Sequence, residues 1–159
     1  MRTGAMTGAA RIGMLMSLLL AAQLADRPDG HASTVREARD DDFRVIVNPA
    51  NRARALSRGF VRGAYLKKAT AWDDGEAIHP VGLSKRFAAR ERFAREVLNK
   101  TPSQLRAYWN QQIFSGKGVP PPELDSEAAV IAYVLHHRGA VGYLPASVDP
   151  AGAAVVALE

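Results

Sequence analysis

The tripeptide Ser84-Lys85-Arg86 is the strongest candidate for chemistry in this sequence. The sequence predicts a helix over residues 85–99 with Ser84 as its N-cap, which places both cations in the first helical turn. Cations are unfavourable there, because the N-terminus of a helix carries about half a positive elementary charge. Free backbone N–H groups, a hydroxyl and two cationic side chains together favour an anion-binding site. The alternative is that Lys85 and Arg86 point into solvent and bind nothing.

The sequence gives little support for a cysteine-based site, a phosphate-binding loop or a metal site. The chain has no cysteine, which excludes disulfides, thiolate metal sites and a cysteine nucleophile. Residues 115–118 are similar to a phosphate-binding loop, but position 111 is Gln and Lys117 is followed by Gly. His136 and His137 are adjacent, so on a helix they point about 100° apart and do not chelate a metal together. No nucleophile–base pair or metal-ligand set emerges, and we therefore expect neither catalysis nor a cofactor.

Positive charge is concentrated in the middle of the chain. Residues 44–117 contain fifteen Lys and Arg against five Asp and Glu, whereas the whole chain has a formal net charge of +5. Such a basic stretch favours an anionic partner, and the alternative is a solvated surface without a partner. Nucleic acid is not expected as the partner, because the N-terminus predicts export.

Residues 1–32 have the pattern of a secretory signal peptide. Arg2 and Arg11 give a positive start, an apolar run follows over residues 14–25, and small residues precede the expected cleavage near Ala32. A membrane-spanning helix needs about 20 apolar residues, and this run is shorter, which favours a cleaved signal over an anchor. We expect an exported protein, periplasmic in a Gram-negative bacterium, with no transmembrane segment after cleavage.

The remaining chain divides into a polar leader, residues 33–42, and one α/β domain, residues 43–159. Apolar, β-branched runs predict strands over residues 43–47, 140–144 and 153–158, and a short edge strand over residues 78–81. Helices are expected to begin at Ser57, Ser84, Thr101 (which forms a capping box with Gln104) and Ser126. The predicted core residues are Val45, Ile46, Val47, Phe60, Phe87, Leu98, Leu105, Trp109, Ile131, Leu135, Val141 and Tyr143. Ile113 is predicted to lie on the buried stripe of the third helix. These elements predict a small, mostly buried sheet flanked by about four helices.

Five stretches in this order resemble the phosphate ABC transporter substrate-binding proteins, in particular their short, exported, single-lobe relatives. The stretches are residues 43–49, 56–58, 72–75, 114–118 and 139–143. The resemblance implies a single lobe of the type 2 periplasmic-binding-protein fold. In full-length members two α/β lobes close over phosphate, which is held by backbone amides, hydroxyls and an arginine.

The resemblance also implies a function and a site. Full-length members carry a Ser-Gly-Thr segment where residues 82–86 of this chain read Gly-Leu-Ser-Lys-Arg. Ser84 and Arg86 are the chemical matches, and Leu and Lys replace the small residues that let an anion approach the backbone. The implied function is binding of a small oxyanion, with phosphate suspected, in association with an ABC transporter and without catalysis. The alternative is a non-catalytic periplasmic interaction protein that kept the fold, lost the ligand and docks an acidic partner.

Overall fold

The computed structural model describes residues 42–159, and these lie in one compact unit. The predicted signal peptide (residues 1–32) and the predicted polar leader up to residue 41 lie outside the described residues. No helix within residues 42–159 is long and apolar enough to cross a membrane.

The main sheet of the described part has five strands, in the order β2 (Ala55–Leu56), β7 (Ala154–Leu158), β1 (Phe43–Val47), β6 (Ala140–Pro145) and β3 (His79–Pro80). Its central strand β1 (Phe43–Val47) is antiparallel to both neighbours, β6 (Ala140–Pro145) and β7 (Ala154–Leu158). Two short strands, β2 (Ala55–Leu56) and β3 (His79–Pro80), lie at the ends of the sheet and run parallel to β7 and β6. The predicted edge strand at residues 78–81 is therefore confirmed as β3.

Four helices and a second, two-stranded ladder complete the described fold. The helices are α1 (Arg58–Tyr65), α2 (Ala88–Glu96), α3 (Pro102–Phe114) and α4 (Glu127–His136). The ladder pairs β4 (Gly82–Leu83) with β5 (Glu123–Leu124) in parallel. The mixed α/β architecture with four helices confirms the predicted fold class.

Three of the four predicted helix starts are confirmed by their caps. The Ser57 hydroxyl accepts a hydrogen bond from the backbone N–H of Phe60, and the Ser126 hydroxyl accepts one from Ala129. Thr101 and Gln104 form the reciprocal capping box, and Pro102 occupies the first position of α3. In each case the polar side chain satisfies a backbone donor that the helix itself leaves free.

Four aromatic rings hold α1 and α2 against the sheet. Phe93 stacks on Tyr143 with ring centroids 4.1 Å apart, and its centroid lies 4.8 Å from that of Tyr65 and 5.3 Å from that of Phe43. Phe93 is fully buried. Because these rings come from α1, α2, β1 and β6, the cluster joins both helices to the two central strands of the sheet.

Most of the predicted core is confirmed, but the predicted burial of Leu135 in the core and of Ile113 on the stripe of α3 is wrong. Leu135 and Ile113 are 38% and 50% exposed. Each lies on the flank of its helix, roughly 90° from the centre of the buried face, since successive helical residues are separated by about 100°. The buried predicted residues are Val45, Ile46, Val47, Leu98, Trp109, Ile131, Val141 and Tyr143, whereas Phe60, Phe87 and Leu105 are partly buried.

Candidate functional site

The helix behind the predicted anion site begins later than expected. Its first residue is Ala88, its N-cap is Phe87, and Lys85 and Arg86 form a turn in which the Phe87 N–H donates to the Ser84 carbonyl. The prediction that Ser84 caps this helix, with both cations in its first turn, is therefore wrong. Two effects explain the shift: Phe87 packs against the core, and cations avoid the positive end of a helix.

Ser84 lies where two parallel strands end side by side. Its backbone N–H donates to the Leu124 carbonyl at 2.9 Å, so Ser84 follows β4 directly opposite the end of β5. Asp125 and Ser126 follow β5 and lead into α4. The carboxyl ends of parallel strands, where helices begin, are the usual ligand-binding edge of α/β sheets.

Arg86 connects the two chain segments at this edge. One guanidinium nitrogen, Nη2, donates to the Asp125 carbonyl, and the guanidinium carbon lies 5.1 Å from the centroid of the Phe87 ring. A guanidinium has five N–H donors, so this bond leaves further donors for a ligand. The side chain is thus anchored at one nitrogen while it remains exposed.

Several hydrogen-bond donors at this edge have no side-chain acceptor within the described part of the chain. No side chain in the described range caps α2, and no acid there pairs with Lys85. The half-buried Ser84 hydroxyl makes no hydrogen bond within residues 42–159. Ser84, Lys85 and Arg86 are thus brought together with free donors, although on a turn rather than on a helix.

Sequence reasoning missed two contributors to this edge. The β5 segment supplies the carbonyl that anchors Arg86, and Arg106 on α3 lines the same depression as Lys85 and Arg86. A two-residue strand has no periodicity that could reveal it. The available signal near β5 was the predicted helix start at Ser126, which comes two residues after Leu124.

Two buried tyrosines form the floor beneath β4. The Tyr65 hydroxyl donates to the Val81 carbonyl at 2.6 Å, and the Tyr143 hydroxyl accepts from the Leu83 N–H at 3.3 Å. Burial raises the pKa of both hydroxyls well above that of free tyrosine, since the charged phenolate would lose its hydration. Both tyrosines are therefore neutral structural groups that fix the path of β4.

These raised pKa values predict a loss of stability at alkaline pH. Above about pH 10, the ordinary pKa of tyrosine, the unfolded chain releases these protons while the folded chain retains them. The free energy of unfolding should then fall as pH rises. Urea titrations between about pH 8 and 11 should show a smaller decline for Tyr65→Phe than for the wild type. An equal decline in both proteins would contradict the assignment.

The other polar candidates remain structural. The Nδ1 atoms of His136 and His137 lie 2.7 Å and 2.8 Å from the Ala132 and Tyr133 carbonyl oxygens. Residues 42–159 contain no group of three or more potential metal ligands. Residues 115–118 form an exposed turn after α3, in which the Ser115 hydroxyl donates back to the helix.

Several solved structures of phosphate receptors share this architecture. An ABC-type phosphate transport receptor from Vibrio cholerae matches with a TM-score of 0.58 and 21% identity over 74% of this chain. PstS from Borrelia burgdorferi matches with a TM-score of 0.57 and 14% sequence identity, over 75% of this chain. A substrate-binding protein from Clostridium perfringens, solved with bound phosphate, matches with a TM-score of 0.57 and 19% sequence identity, over 74% of this chain. The chain has the fold of these phosphate receptors. The resemblance inferred from the sequence is supported at the level of fold.

The chain spans less than half the length of these receptors. It covers 46% of the Vibrio cholerae protein, 45% of the Clostridium perfringens protein and 47% of the Borrelia burgdorferi protein. This share agrees with the prediction of a single lobe of the receptor fold. No protein-family model and no curated protein matches the sequence.

Proposed function

We propose that this chain binds an oxyanion, with phosphate as the first candidate, at the edge formed by Ser84, Lys85 and Arg86. The observation that carries the proposal is the meeting of the β4 and β5 ends, where an uncommitted hydroxyl and two cationic side chains lie before an uncapped helix. The shared fold of the phosphate receptors supports it. Binding is reversible and involves no bond making, so the chain acts as a binding protein beside an ABC transporter rather than as an enzyme.

The proposed site differs from a closed receptor site in its access to water. Lys85 and Arg86 are exposed, and no second lobe within the described residues covers them. Charge-assisted hydrogen bonds are weaker when water competes for them. We therefore propose an affinity no tighter than high micromolar, about −5 to −6 kcal/mol.

Removal of one guanidinium tests the site. Titration calorimetry with phosphate and sulfate at low ionic strength should show binding to the wild type. Arg86→Ala should weaken it by about 10- to 100-fold, because a hydrogen bond to a charged group contributes roughly 1.5–3 kcal/mol. Heat that persists unchanged in this variant would place the anion elsewhere.

The matched control is Arg138→Ala. Arg138 is also exposed and its removal changes the net charge equally, but it lies beyond the C-terminal end of α4, whereas the proposed site faces the start of that helix. Phosphate affinity should stay within about twofold of the wild type, apart from the small general effect of net charge. Equal weakening by both variants would indicate non-specific attraction to a basic protein.

Export remains part of the proposal. The pattern over residues 1–32 supports a signal peptide with cleavage near Ala32, and a periplasmic binding domain is the class of protein that such a signal would deliver. The proposed mature chain is then the domain over residues 43–159 preceded by the short polar leader.

A second candidate function is docking to another protein through an exposed apolar surface. Phe114 is 91% exposed, Val119 62% and Ile113 50%, all at the end of α3 and in the loop after it. Exposed aromatic residues of this kind are typical of protein interfaces. Absence of heat with either ion, together with a melting temperature that neither ion changes, would favour this function over anion binding.

A further inference from the structure

A long groove leads away from the proposed anion site. It has a volume of about 950 Å³ and runs from Lys85 and Arg86 between α2, α3 and the prolines at positions 120–122. Sites for small organic ligands have volumes of about 300–1,000 Å³. Inorganic phosphate would occupy only a small part of this space, so the groove offers room for a much larger ligand.

One wall of the groove is an apolar line along α3. Leu105, Trp109 and Ile113 all line it and are spaced four residues apart, which places them on one side of the helix. Phe87 and Leu98 add apolar surface from the α2 segment. Ile113 also lines the groove, and half of its surface is exposed to solvent. The wall therefore presents apolar surface that the fold itself leaves partly in contact with water.

The acidic groups of the groove are already neutralised. Glu123 accepts hydrogen bonds from Arg90, with its Oε1 atom 2.5 Å from Nη2 and 3.0 Å from Nε. The Oε1 atom of Glu91 lies 2.5 Å from Nη1 of Arg95. These two carboxylates thus oppose an anionic ligand only weakly.

Three cations of the groove have no acidic partner within residues 42–159. They are Lys85 and Arg86 at the anion site and Arg106 on α3. An uncompensated cationic cluster beside an apolar wall is complementary to a molecule with an anionic head and an apolar body.

We infer that the groove binds the organic part of a phosphate ester, so that the ligand is a soluble phosphate monoester with an alkyl or aryl substituent. The ester phosphate lies at Ser84, Lys85 and Arg86, and its substituent lies along Leu105, Trp109 and Ile113. This inference rests on the proposed oxyanion site and adds the class of ligand that the site selects.

A series of esters with growing substituents tests the inference. Inorganic phosphate, methyl phosphate and hexyl phosphate should be titrated into the full chain by calorimetry, below the concentration at which hexyl phosphate aggregates. A fully buried methylene contributes about fourfold in affinity, and a half-covered one in an open groove about twofold. Hexyl phosphate should therefore bind about 30-fold more tightly than methyl phosphate. Hexylamine should not bind measurably.

A matched pair of variants locates the substituent. Ile113→Asp should reduce the preference for hexyl over methyl phosphate to less than about threefold, because it places a carboxylate along the apolar wall. Val155→Asp is the control: Val155 is 49% exposed, like Ile113, but lies on β7 outside the groove. This control should keep the 30-fold preference.

The outcomes separate this inference from the proposed function. Equal affinity for all three phosphates would overturn the inference and leave the oxyanion site standing. Tight binding of hexyl phosphate that depends on Ile113, without binding of inorganic phosphate, would support the inference and overturn phosphate as the ligand. Binding of none of the three would overturn both, and hexylamine binding as tightly as hexyl phosphate would overturn the charge argument.

Discussion

Gly139→Ala should destabilise the fold by about 3 kcal/mol or more, a larger effect than that of ordinary overpacking. A Cβ atom at position 139 would lie 1.8 Å from the Ala77 carbonyl oxygen and 3.0 Å from its carbon. Backbone atoms cannot give way as the end of a side chain can. The Gly139 carbonyl also accepts hydrogen bonds from the His79 N–H and from the Trp72 indole, both at 3.0 Å, which fixes the segment in place.

Chemical denaturation of both proteins measures this effect, with Gly59→Ala as the matched control. Gly59 lies in α1, and a Cβ atom there would meet only the Ser57 hydroxyl oxygen at 3.8 Å. Alanine in an exposed helix is more stable than glycine by roughly 0.5–1 kcal/mol, so the control should unfold at higher denaturant concentration. A loss below about 1 kcal/mol for Gly139→Ala would show that the 77–139 contact can relax.

The helix caps and long strands were predictable because their signals are local. Thr101, Pro102 and Gln104 specify a helix start through bonds among four consecutive residues, and the structure forms each of them. The run over residues 43–47 is apolar and β-branched, as expected for a strand covered on both faces, and Val45, Ile46 and Val47 are fully buried. Such elements depend little on the rest of the chain.

Of the short strands, β3 was predicted, whereas β2, β4 and β5 could not be, because their pairing is set by distant residues. β4 and β5 have two residues each, too few for any hydrophobic period, and they are separated by α2 and α3. The same limit explains the error at Ser84. A serine before a basic, amphipathic run is a good N-cap signal, but the Ser84 N–H donates to the Leu124 carbonyl directly after β4, and the helix begins only at Ala88.

The candidate site was therefore predictable in composition and not in geometry. The sequence singles out Ser84, Lys85 and Arg86 as a cluster of donors, and this choice stays a prediction until a ligand is tested. Their arrangement depends on Asp125, whose carbonyl orients Arg86 from a segment 39 residues away. Only the fold brings that carbonyl to Arg86, and only the fold makes Arg106 line the same depression as Lys85 and Arg86.

Asn48→Asp should be the most damaging polar substitution in the described part of the chain. Asn48 is 5% exposed and is the one buried residue within residues 42–159, aromatic residues apart, that has a polar side chain. Its Nδ2 group donates to the carbonyls of Val134 and Leu135 at 2.9 Å and 3.0 Å, and its Oδ1 accepts from the Ala50 N–H at 2.9 Å. These bonds join the end of β1 to the last turn of α4, where carbonyls have no partner within the helix.

A carboxylate at position 48 would face those two carbonyls at the negative end of the α4 dipole. The free energy of unfolding should fall by about 3–5 kcal/mol at neutral pH, the cost of an uncompensated buried charge. Acidification toward about pH 4, the ordinary carboxyl pKa, restores one O–H donor and removes the charge. The difference in stability between variant and wild type should therefore shrink as pH falls.

Two controls separate the charge from the loss of the bonds. Asn48→Ala leaves both carbonyls unpaired without adding a charge, so its cost should be smaller and the same at both pH values. Asn51→Asp keeps the acceptor that Asn51 offers to the Ala53 N–H at 2.9 Å, so it should change stability by less than about 0.5 kcal/mol. Urea denaturation of the three variants at pH 7 and pH 4 measures these changes in the free energy of unfolding and separates the two effects. A cost for Asn48→Asp that does not depend on pH would mean that the end of α4 moves to admit water, because only hydration would let the carboxylate stay charged beside two carbonyls.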